Sequence, residues 1–563
     1  MARFSVGLDF GTESARAVLV DVADGRVVAT ATHAYPHGVI DRALPDGGRE
    51  LPPDWALQHP GDWVEGLAML LRHMAAAVPP EDIVGIGVDF TSCTVMPVDA
   101  NGTPLCLLQE FTREPHAWPK LWKHHAAQPY ADRINATAGS PGGEFLRFYG
   151  GLTSSEWTWA KAWQMLEESP RIAQAAARWI EGGDWIIWQL VGEEVRSACQ
   201  AGYKAHWQKD AGYPPASYWA SLHPNLPSFL DKIGPPPRPV AARAGGLSEA
   251  WAQMTGLRPD TPVAVAVIDA HAGVPAVGVS QPGQLVAIMG TSTCHLLVDP
   301  ARREVRGISG VVEDGILPGL YGYEAGQASV GDIFRWFVRT ATPARYGDAA
   351  TGEAAVYDRL DADAARLAPG QSGLLALDWW NGCRTPLVDA ELSGLIVGLT
   401  VTTEPHEVYR ALLEATAFGT RRVIETFEAG GVAVREVHAC GGLAERNPLL
   451  LQITADVIGR GVLAARVPHA SAVGAAIYAA AAAGTAMGGY ATMDGAVQRM
   501  GGGDRVPYRP RPAARRVYEE LYRDYLDLSR HFAEGGSDLM VRLRVQRRKE
   551  QGFRADGENS PEV

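Results

Sequence analysis

The chain opens with a short rhythm of apolar runs broken by glycine. Phe4 to Asp9 is β-prone, a turn follows at Gly11-Thr12, a second run covers Ala15 to Val20, Asp24-Gly25 turns the chain again, and Arg26 to Thr32 forms a third run. Runs joined by a Gly-containing turn and then by Asp-Gly predict a β-meander. A similar piece recurs far downstream: Gln284 to Met289, the turn Gly290-Thr291-Ser292, then Cys294 to Val298 and Asp299-Pro300. A repeat spaced by about half the chain is too long for a solenoid and predicts duplicated domains.

Between and beyond these pieces the period changes. Asp62 to Met74 has apolar residues at helical spacing. Glu81 to Val88 reads as a strand running into Asp89-Phe90-Thr91-Ser92-Cys93-Thr94, with Val95 to Val98 and an Asn101-Gly102 turn after it. Pro235 to Pro237 lies in a loop, and a Gly/Pro-bearing stretch after Asp269 places a domain boundary near residue 280. Further on, a long helix is predicted from Glu404 to Ala429, a strand from Val434 to Ala439, and helices from about Pro448 and near Ser471. The expected division is therefore 1–279, 280–545 and a polar tail, 546–563, expected to be disordered behind the basic helix end Arg542, Arg544, Arg547, Arg548 and Lys549.

Size and charge narrow the chemistry. A chain of 563 residues exceeds one compact core, and 46% hydrophobic with 20% charged residues is ordinary for folded domains. With 51 Lys plus Arg against 64 Asp plus Glu, the net charge is −13, which repels polyphosphate backbones and argues against a nucleic-acid partner. An anionic ligand then needs local cations or a metal, a condition met by ATP with Mg²⁺. The six cysteines are scattered without a C-x-x-C spacing, so neither structural zinc nor a disulfide framework is indicated. The N-terminus has no apolar signal core, and Ala475 to Ala483 is too short to span a bilayer. A cytoplasmic protein without a membrane partner is expected.

Several segments can carry chemistry. Gly7-Leu8-Asp9-Phe10-Gly11-Thr12 ends a strand with a carboxylate and turns on glycine. Glycine lets backbone N–H groups close on a phosphate, and Asp9 can supply oxygen to Mg²⁺; an ordinary hairpin turn is the alternative. Gly290-Thr291-Ser292 is the same kind of turn, and two such turns can hold one triphosphate between two domains. Val267-Ile268-Asp269 ends another apolar strand in a carboxylate. Asp269 suits either a base that accepts a hydroxyl proton during phosphoryl transfer or a plain helix cap, with His271 beside it as a core or supporting histidine. Cys440-Gly441-Gly442 leads from a strand to Asn447, either to admit an adenine or simply as a tight turn whose Asn447 starts a helix. Lys204 and Glu324 lie in polar, Gly-bearing stretches, and each alone reads as a surface charge. Trp159 and Trp163, four residues apart, read as core packing. There is no P-loop lysine motif and no G-x-G-x-x-G after the first strand, which sets aside the common nucleotide folds.

Asp9, Asp269, the two Gly-Thr turns and the Gly-Gly turn, in this order, resemble the FGGY carbohydrate kinases from residue 3 to about 530. Gly394 to Glu414 is similar to that family's C-terminal signature. Gly87 to Thr94, Lys120 to Ala126 and Ser154-Ser155-Glu156-Trp157 resemble its L-ribulose-phosphorylating branch. The resemblance implies an α/β fold of two duplicated actin-like, ribonuclease-H-type ATPase domains with an interdomain catalytic cleft. It implies Asp269 as the catalytic base and Asp9 as the metal residue. Thr12, Ser14, Arg16, Gly290 and Thr291 would flank phosphates, while Gly331, Gly441, Gly442 and Asn447 would hold the nucleoside. Ser92, Lys204, Asp269 and Glu324 would contact a small sugar, which makes ATP and Mg²⁺ the expected cofactors. Small residues at Ser92-Cys93 argue against glycerol and xylulose, yet also accommodate several pentoses. Epimers differ by one hydroxyl direction, so D-ribulose, xylulose and ribitol stay open beside L-ribulose. An actin-like nucleotide switch without sugar chemistry is the reading from another class; it leaves Lys204, Glu324 and Asp269 without a purpose. The oligomeric state is not fixed, with a homodimer as one option.

Overall fold

The computed structural model describes residues 2–45, 49–347 and 352–547. All but the first two residues of the tail expected over 546–563 lie outside the described residues. The chain forms two compact units: Met1–Val286 with Leu296–Glu324 and Ala465–Arg505, and Ala287–His295 with Ala325–Ala464 and the described residues from Val506.

The opening meander is present as β1 (Phe4–Phe10), β2 (Ser14–Asp21) and β3 (Val27–Ala34). The helix Pro60–Ala77 follows, capped where His59 Nδ1 accepts the Gly61 N–H at 3.0 Å. His37 in turn donates to Asp62 from its backbone and its ring, which ties this segment to the first turn of the helix. Next come β4 (Ile83–Phe90) and an antiparallel pair, β5 (Val95–Val98) with β6 (Arg178–Glu181). The last strands of this set are β7 (Arg243–Gly246), β8 (Pro262–Ala264) and β9 (Val267–Ile268). The sheet order is β3-β2-β1-β4-β8-β7, with β9 also paired to β4.

Every residue of β1 and β4 is buried, as in a sheet covered on both faces. The helix Pro60–Ala77 packs on β2 and β3 of this sheet, and the helix Ala470–Ala483 on β1 and β4. The second approaches backbone to backbone: a Cβ on Gly7 would meet the Ala472 carbonyl at 1.8 Å, and one on Gly87 the Ala475 carbonyl at 1.9 Å. Glycine on the strands and alanine on the helix are what make that spacing sterically possible. The Ala-rich run is thus a packing helix. Among the described residues no helix is long and apolar enough to cross a membrane.

The downstream copy of the motif is β10 (Gln284–Met289) and β11 (Thr293–Asp299), followed by β12 (Gly310–Glu313) and β13 (Tyr321–Gln327). A separate antiparallel pair, β14 (Leu375–Leu377) with β15 (Leu395–Val397), precedes β16 (Glu436–Cys440), β17 (Val462–Arg466) and β18 (Asp504–Tyr508). This second sheet has the order β12-β13-β11-β10-β16-β17-β18. Winding from β13 through β11 and β10 to β16 and β17 reproduces the path from β3 through β2 and β1 to β4 and β8. The α/β class and the duplication expected from the repeated motif are both present. The long helix runs Pro405–Ala429, and Trp159 packs in the core, stacked on Trp219 at 4.0 Å.

Candidate active site

Three parallel strands end side by side in the first unit. β1 pairs β4 with Asp9 opposite Asp89, and β4 pairs β9 with Phe90 opposite Ile268, so Asp269 follows immediately at the start of the helix Asp269–Ala276. Carboxyl ends of parallel strands in such sheets are where ligands bind. Asp9 accepts from Arg16 Nη1 at 2.8 Å, its cross-strand neighbour on β2. Arg16 also reaches Ser14 Oγ at 3.4 Å. The turn between the strands closes through the Gly11 N–H on the Ser14 carbonyl at 3.0 Å. It is held from outside: Gln58 donates to the Thr12 carbonyl at 2.7 Å, and the Trp122 indole to Thr12 Oγ at 3.1 Å.

The carboxylates are unequal. Asp269 accepts the Ala270 N–H at 2.7 Å, yet burial and then the charge of Asp9 push its carboxyl up to about 7. Asp89 is fully buried, and neither of its oxygens has a hydrogen-bond donor against it. Burial first, then Asp9 and Asp269, raise it well above the ordinary carboxylate range. A buried carboxyl group with no protein donor, beside a second carboxylate, is an oxygen-only set of the kind that suits Mg²⁺. Asp89 was not singled out for a role from the sequence, although a signal was there. Gly87-Val88-Asp89-Phe90 repeats Gly7-Leu8-Asp9-Phe10 at the end of an equally apolar run.

Lys204 and Glu324 correct an expectation. Neither is a surface charge: Lys204 Nζ lies 3.0 Å from both Glu324 oxygens, and both side chains are buried. Their neighbourhoods look loop-like in sequence, but Lys204 is on the helix Ala198–Ala205 and Glu324 on β13. The partner is 120 residues away, which no local pattern reveals. Burial disfavours the Glu324 carboxylate, but Lys204 and then His271 hold it well below its usual range. Burial likewise opposes the Lys204 charge, and Glu324 more than restores it. His271 Nε2 stands 3.3 Å from Glu324, its ring stacked on Tyr203, and burial lowers its proton affinity. His271 thus sits buried beside the ion pair.

Ser92 follows β4 in a loop whose next residue, Cys93, has φ of +58°. Burial pushes the Cys93 thiol up to about 12, while Lys204 and Lys161 act in the other direction, which places Lys204 in the neighbourhood of this loop. Lys204 and Glu324 likewise act on the Asp269 carboxyl. Lys204, Glu324 and Asp269 thus act on one another, and Ser92 precedes Cys93, on which Lys204 also acts.

The second unit holds the glycine turns. The Gly290 N–H bonds the Ser292 carbonyl at 2.9 Å, and the Gly331 N–H bonds the Gly290 carbonyl at 3.1 Å. This docks the start of the helix Gly331–Thr340 on the turn, and a Cβ on Gly331 would come within 2.7 Å of that carbonyl. Gly441 has φ of +95° and faces the Met289 carbonyl, which a Cβ would meet at 2.6 Å. Gly442 starts the helix Gly442–Arg446. Asn447 caps the helix Pro448–Ile458 by accepting the Leu450 N–H at 2.8 Å, and its amide donates to Asp361 and Tyr409. The helix-start alternative for Asn447 is therefore present in the structure. At Gly331 and Gly441 the space of a side chain is filled by neighbouring backbone carbonyls, while Gly290, Thr291 and Gly442 are exposed turn backbone of the kind a phosphate or a flat ring can approach.

Comparison with known proteins identifies the family. Residues 4–275 match the N-terminal domain of the FGGY family of carbohydrate kinases, and residues 285–483 its C-terminal domain. The chain is 50% identical to a ribulokinase of Geobacillus thermodenitrificans, over 96% of this chain and 97% of that one. It is 47% identical to a ribulokinase of Mycolicibacterium smegmatis, over 97% and 96%. The structure is similar to xylulose kinase from Rhodospirillum rubrum, with a TM-score of 0.77 and 25% identity over 94% of this chain and 99% of that one. It shares the fold of Plasmodium falciparum glycerol kinase with ADP, with a TM-score of 0.74 and 14% identity over 93% and 98%.

Proposed function

Because the chain belongs to the FGGY family of carbohydrate kinases, an ATP- and Mg²⁺-dependent family built on two duplicated actin-like domains, we propose that its acceptor is a ketopentose, L-ribulose, converted to L-ribulose 5-phosphate. The observation that carries this reading is the joint presence of a buried Lys204–Glu324 pair and of Asp269, a carboxyl group poised near neutrality. A nucleotide switch has no use for such a set, whereas a polyhydroxylated acceptor needs charged hydrogen-bonding groups and a base. The ribulokinase names of the similar chains support the choice of sugar.

In this reading Asp9 and Asp89 hold the metal, which supplies charge neutralisation for the transferred phosphoryl group. The donorless oxygens of Asp89 are the structural feature that fits it. Lys204 and Glu324 bind sugar hydroxyls from opposite charges, so the acceptor is oriented rather than merely enclosed. Ser92 leaves room for the carbon chain and adds one hydroxyl. Asp269 takes the proton of the attacking hydroxyl onto a carboxylate oxygen. Thr12, Ser14 and Arg16 border the phosphates in the first unit, and Gly290 and Thr291 do so in the second. Gly331, Gly441 and Gly442 admit the nucleoside, beside a backbone that Asn447 holds in place.

A coupled ADP-release assay over L-ribulose, D-ribulose, L- and D-xylulose and ribitol tests the substrate. L-Ribulose should give the highest kcat/KM. Equal, unstimulated ATP turnover with every sugar would remove the kinase reading, and a clear winner other than L-ribulose would move the assignment to that sugar.

A further inference from the structure

Lys161 is a buried lysine that none of the roles above uses. It lies on the helix Thr158–Glu168, and its ammonium makes no ion pair among the described residues. All three of its N–H groups go to backbone carbonyls: Cys93 at 2.6 Å, Leu121 at 2.9 Å and Lys120 at 3.3 Å. Removing an ammonium from water without a carboxylate partner is costly, and simple core filling would be served better by methionine or leucine. What it gains is geometric, because an ammonium has three donors and here they join two separate pieces of chain, Cys93 and the adjacent pair Lys120-Leu121.

Those pieces are the supports of the site. Cys93 is the residue after Ser92, and its φ of +58° is a conformation that side-chain-bearing residues rarely adopt. Its carbonyl direction, fixed by Lys161, therefore sets the loop that presents Ser92. Leu121 precedes Trp122, whose indole holds Thr12 Oγ in the phosphate turn at 3.1 Å. The same helix reaches a third support: the Trp159 indole donates at 2.9 Å to the carbonyl of Ala205, the residue after Lys204.

We propose that Lys161 is a positioning residue for phosphoryl transfer, its ammonium tying the Ser92 loop to the segment that braces Thr12. This rests on the reading that Ser92 contacts the sugar. Lys161 touches neither sugar nor phosphate; it sets where the groups that do so stand. The neighbouring Lys120 is an internal control, since it is as deeply buried but its Nζ makes a single carbonyl bond, to His116 at 3.4 Å, and otherwise lies over the Trp55 ring at 5.3 Å.

The test compares Lys161→Met, Lys161→Arg, Lys120→Met and Ser92→Leu in the full chain, reading kcat, both KM values, Tm and L-ribulose binding by calorimetry. Lys161→Met should raise the L-ribulose KM and dissociation constant about tenfold or more, the scale of a misplaced binding group. Lys161→Arg, which keeps donors, should recover part of that loss. Lys120→Met should lower Tm comparably while leaving the sugar KM within about twofold. The proposal is overturned if folded Lys161→Met keeps the native sugar KM, or if Lys120→Met raises it equally, since the effect is then general loosening of the core. Should Lys161→Met fail to fold, Lys161→Gln is judged by the same criterion. Ser92→Leu separates the two claims. If it raises the sugar KM and the Lys161 variants do not, only the positioning role falls; if it changes nothing, the sugar lies elsewhere and both fall.

Discussion

The two copies of the strand–turn–strand motif share a backbone and differ in charge. β1 ends in Asp9 before Gly11-Thr12, whereas β10 ends in Met289 before Gly290-Thr291. Each turn closes with a glycine N–H on a serine carbonyl, at 3.0 Å in the first and 2.9 Å in the second. Around the first, the sheet gathers Asp89 and Asp269 on neighbouring strand ends. Around the second it gathers glycines, Gly331 and Gly441, whose missing side chains let the Gly290 and Met289 carbonyls pack against them. The first copy thus carries titratable groups at its strand ends, and the second carries neutral glycine turns. Substitutions in the first copy should act on kcat, and those in the second on the affinity for nucleotide.

The largest effect is expected from Asp269→Asn, which should cut kcat by roughly two to four orders of magnitude with the fold intact. The same residue predicts a pH dependence. Its active form is the carboxylate, so kcat/KM should fall as pH drops through about 7, and a flat profile down to pH 5 would remove Asp269 as the base. The stability sign is opposite to that of a salt-bridged acid. A carboxyl raised in the folded state loses stability as pH climbs from roughly 4 toward 7. Asp269→Asn should therefore melt higher than the native chain at pH 8, with the gain vanishing near pH 4.

Asp9→Asn comes next, with a kcat loss on the order of a hundredfold or more if it serves the metal. An unchanged Mg²⁺ dependence in that variant would contradict the division between the copies.

Glu324→Gln should raise the sugar KM and destabilise the protein by about 3–5 kcal/mol, because Lys204 is left buried without its counter-charge. Replacing both, as Lys204→Met with Glu324→Leu, should restore much of the stability while leaving sugar binding lost. Denaturant unfolding and sugar calorimetry together decide whether the pair serves function or merely the fold.

The smallest effect is expected in the glycine copy. Gly441→Ala forces a side chain onto φ of +95° and against the Met289 carbonyl, a cost of about 1–3 kcal/mol. The KM for ATP should rise while the sugar KM stays native. If the sugar KM rises instead, the assignment of the glycine turns to nucleotide is wrong.

Much of the architecture was legible because it is locally encoded. The meander, the helix opened at Pro60 and the long helix Pro405–Ala429 follow from period and turn residues alone. The candidate acids Asp9 and Asp269 were legible too, since each ends a short apolar run. The Ala-rich segment near 475 was legible as a helix starting near Ser471 and as something too short for a bilayer. Its task, packing against Gly7 and Gly87 of the first sheet, depends on residues several hundred positions away.

What the sequence by itself determined is the kind of protein this is: a duplicated α/β chain whose strand ends bear acids and whose turns bear glycine. Those traits are written within a few neighbouring residues, where hydrophobic period and backbone freedom decide the outcome. Tertiary structure decided which charges are paired and which are left without donors. It turned Lys204 and Glu324 from ordinary polar positions into a buried pair, left Asp89 without a donor, and aimed three Lys161 bonds at distant carbonyls. The reason is that the cost of burying a charge, and the partner that offsets it, exist only once separate parts of the chain have been brought together.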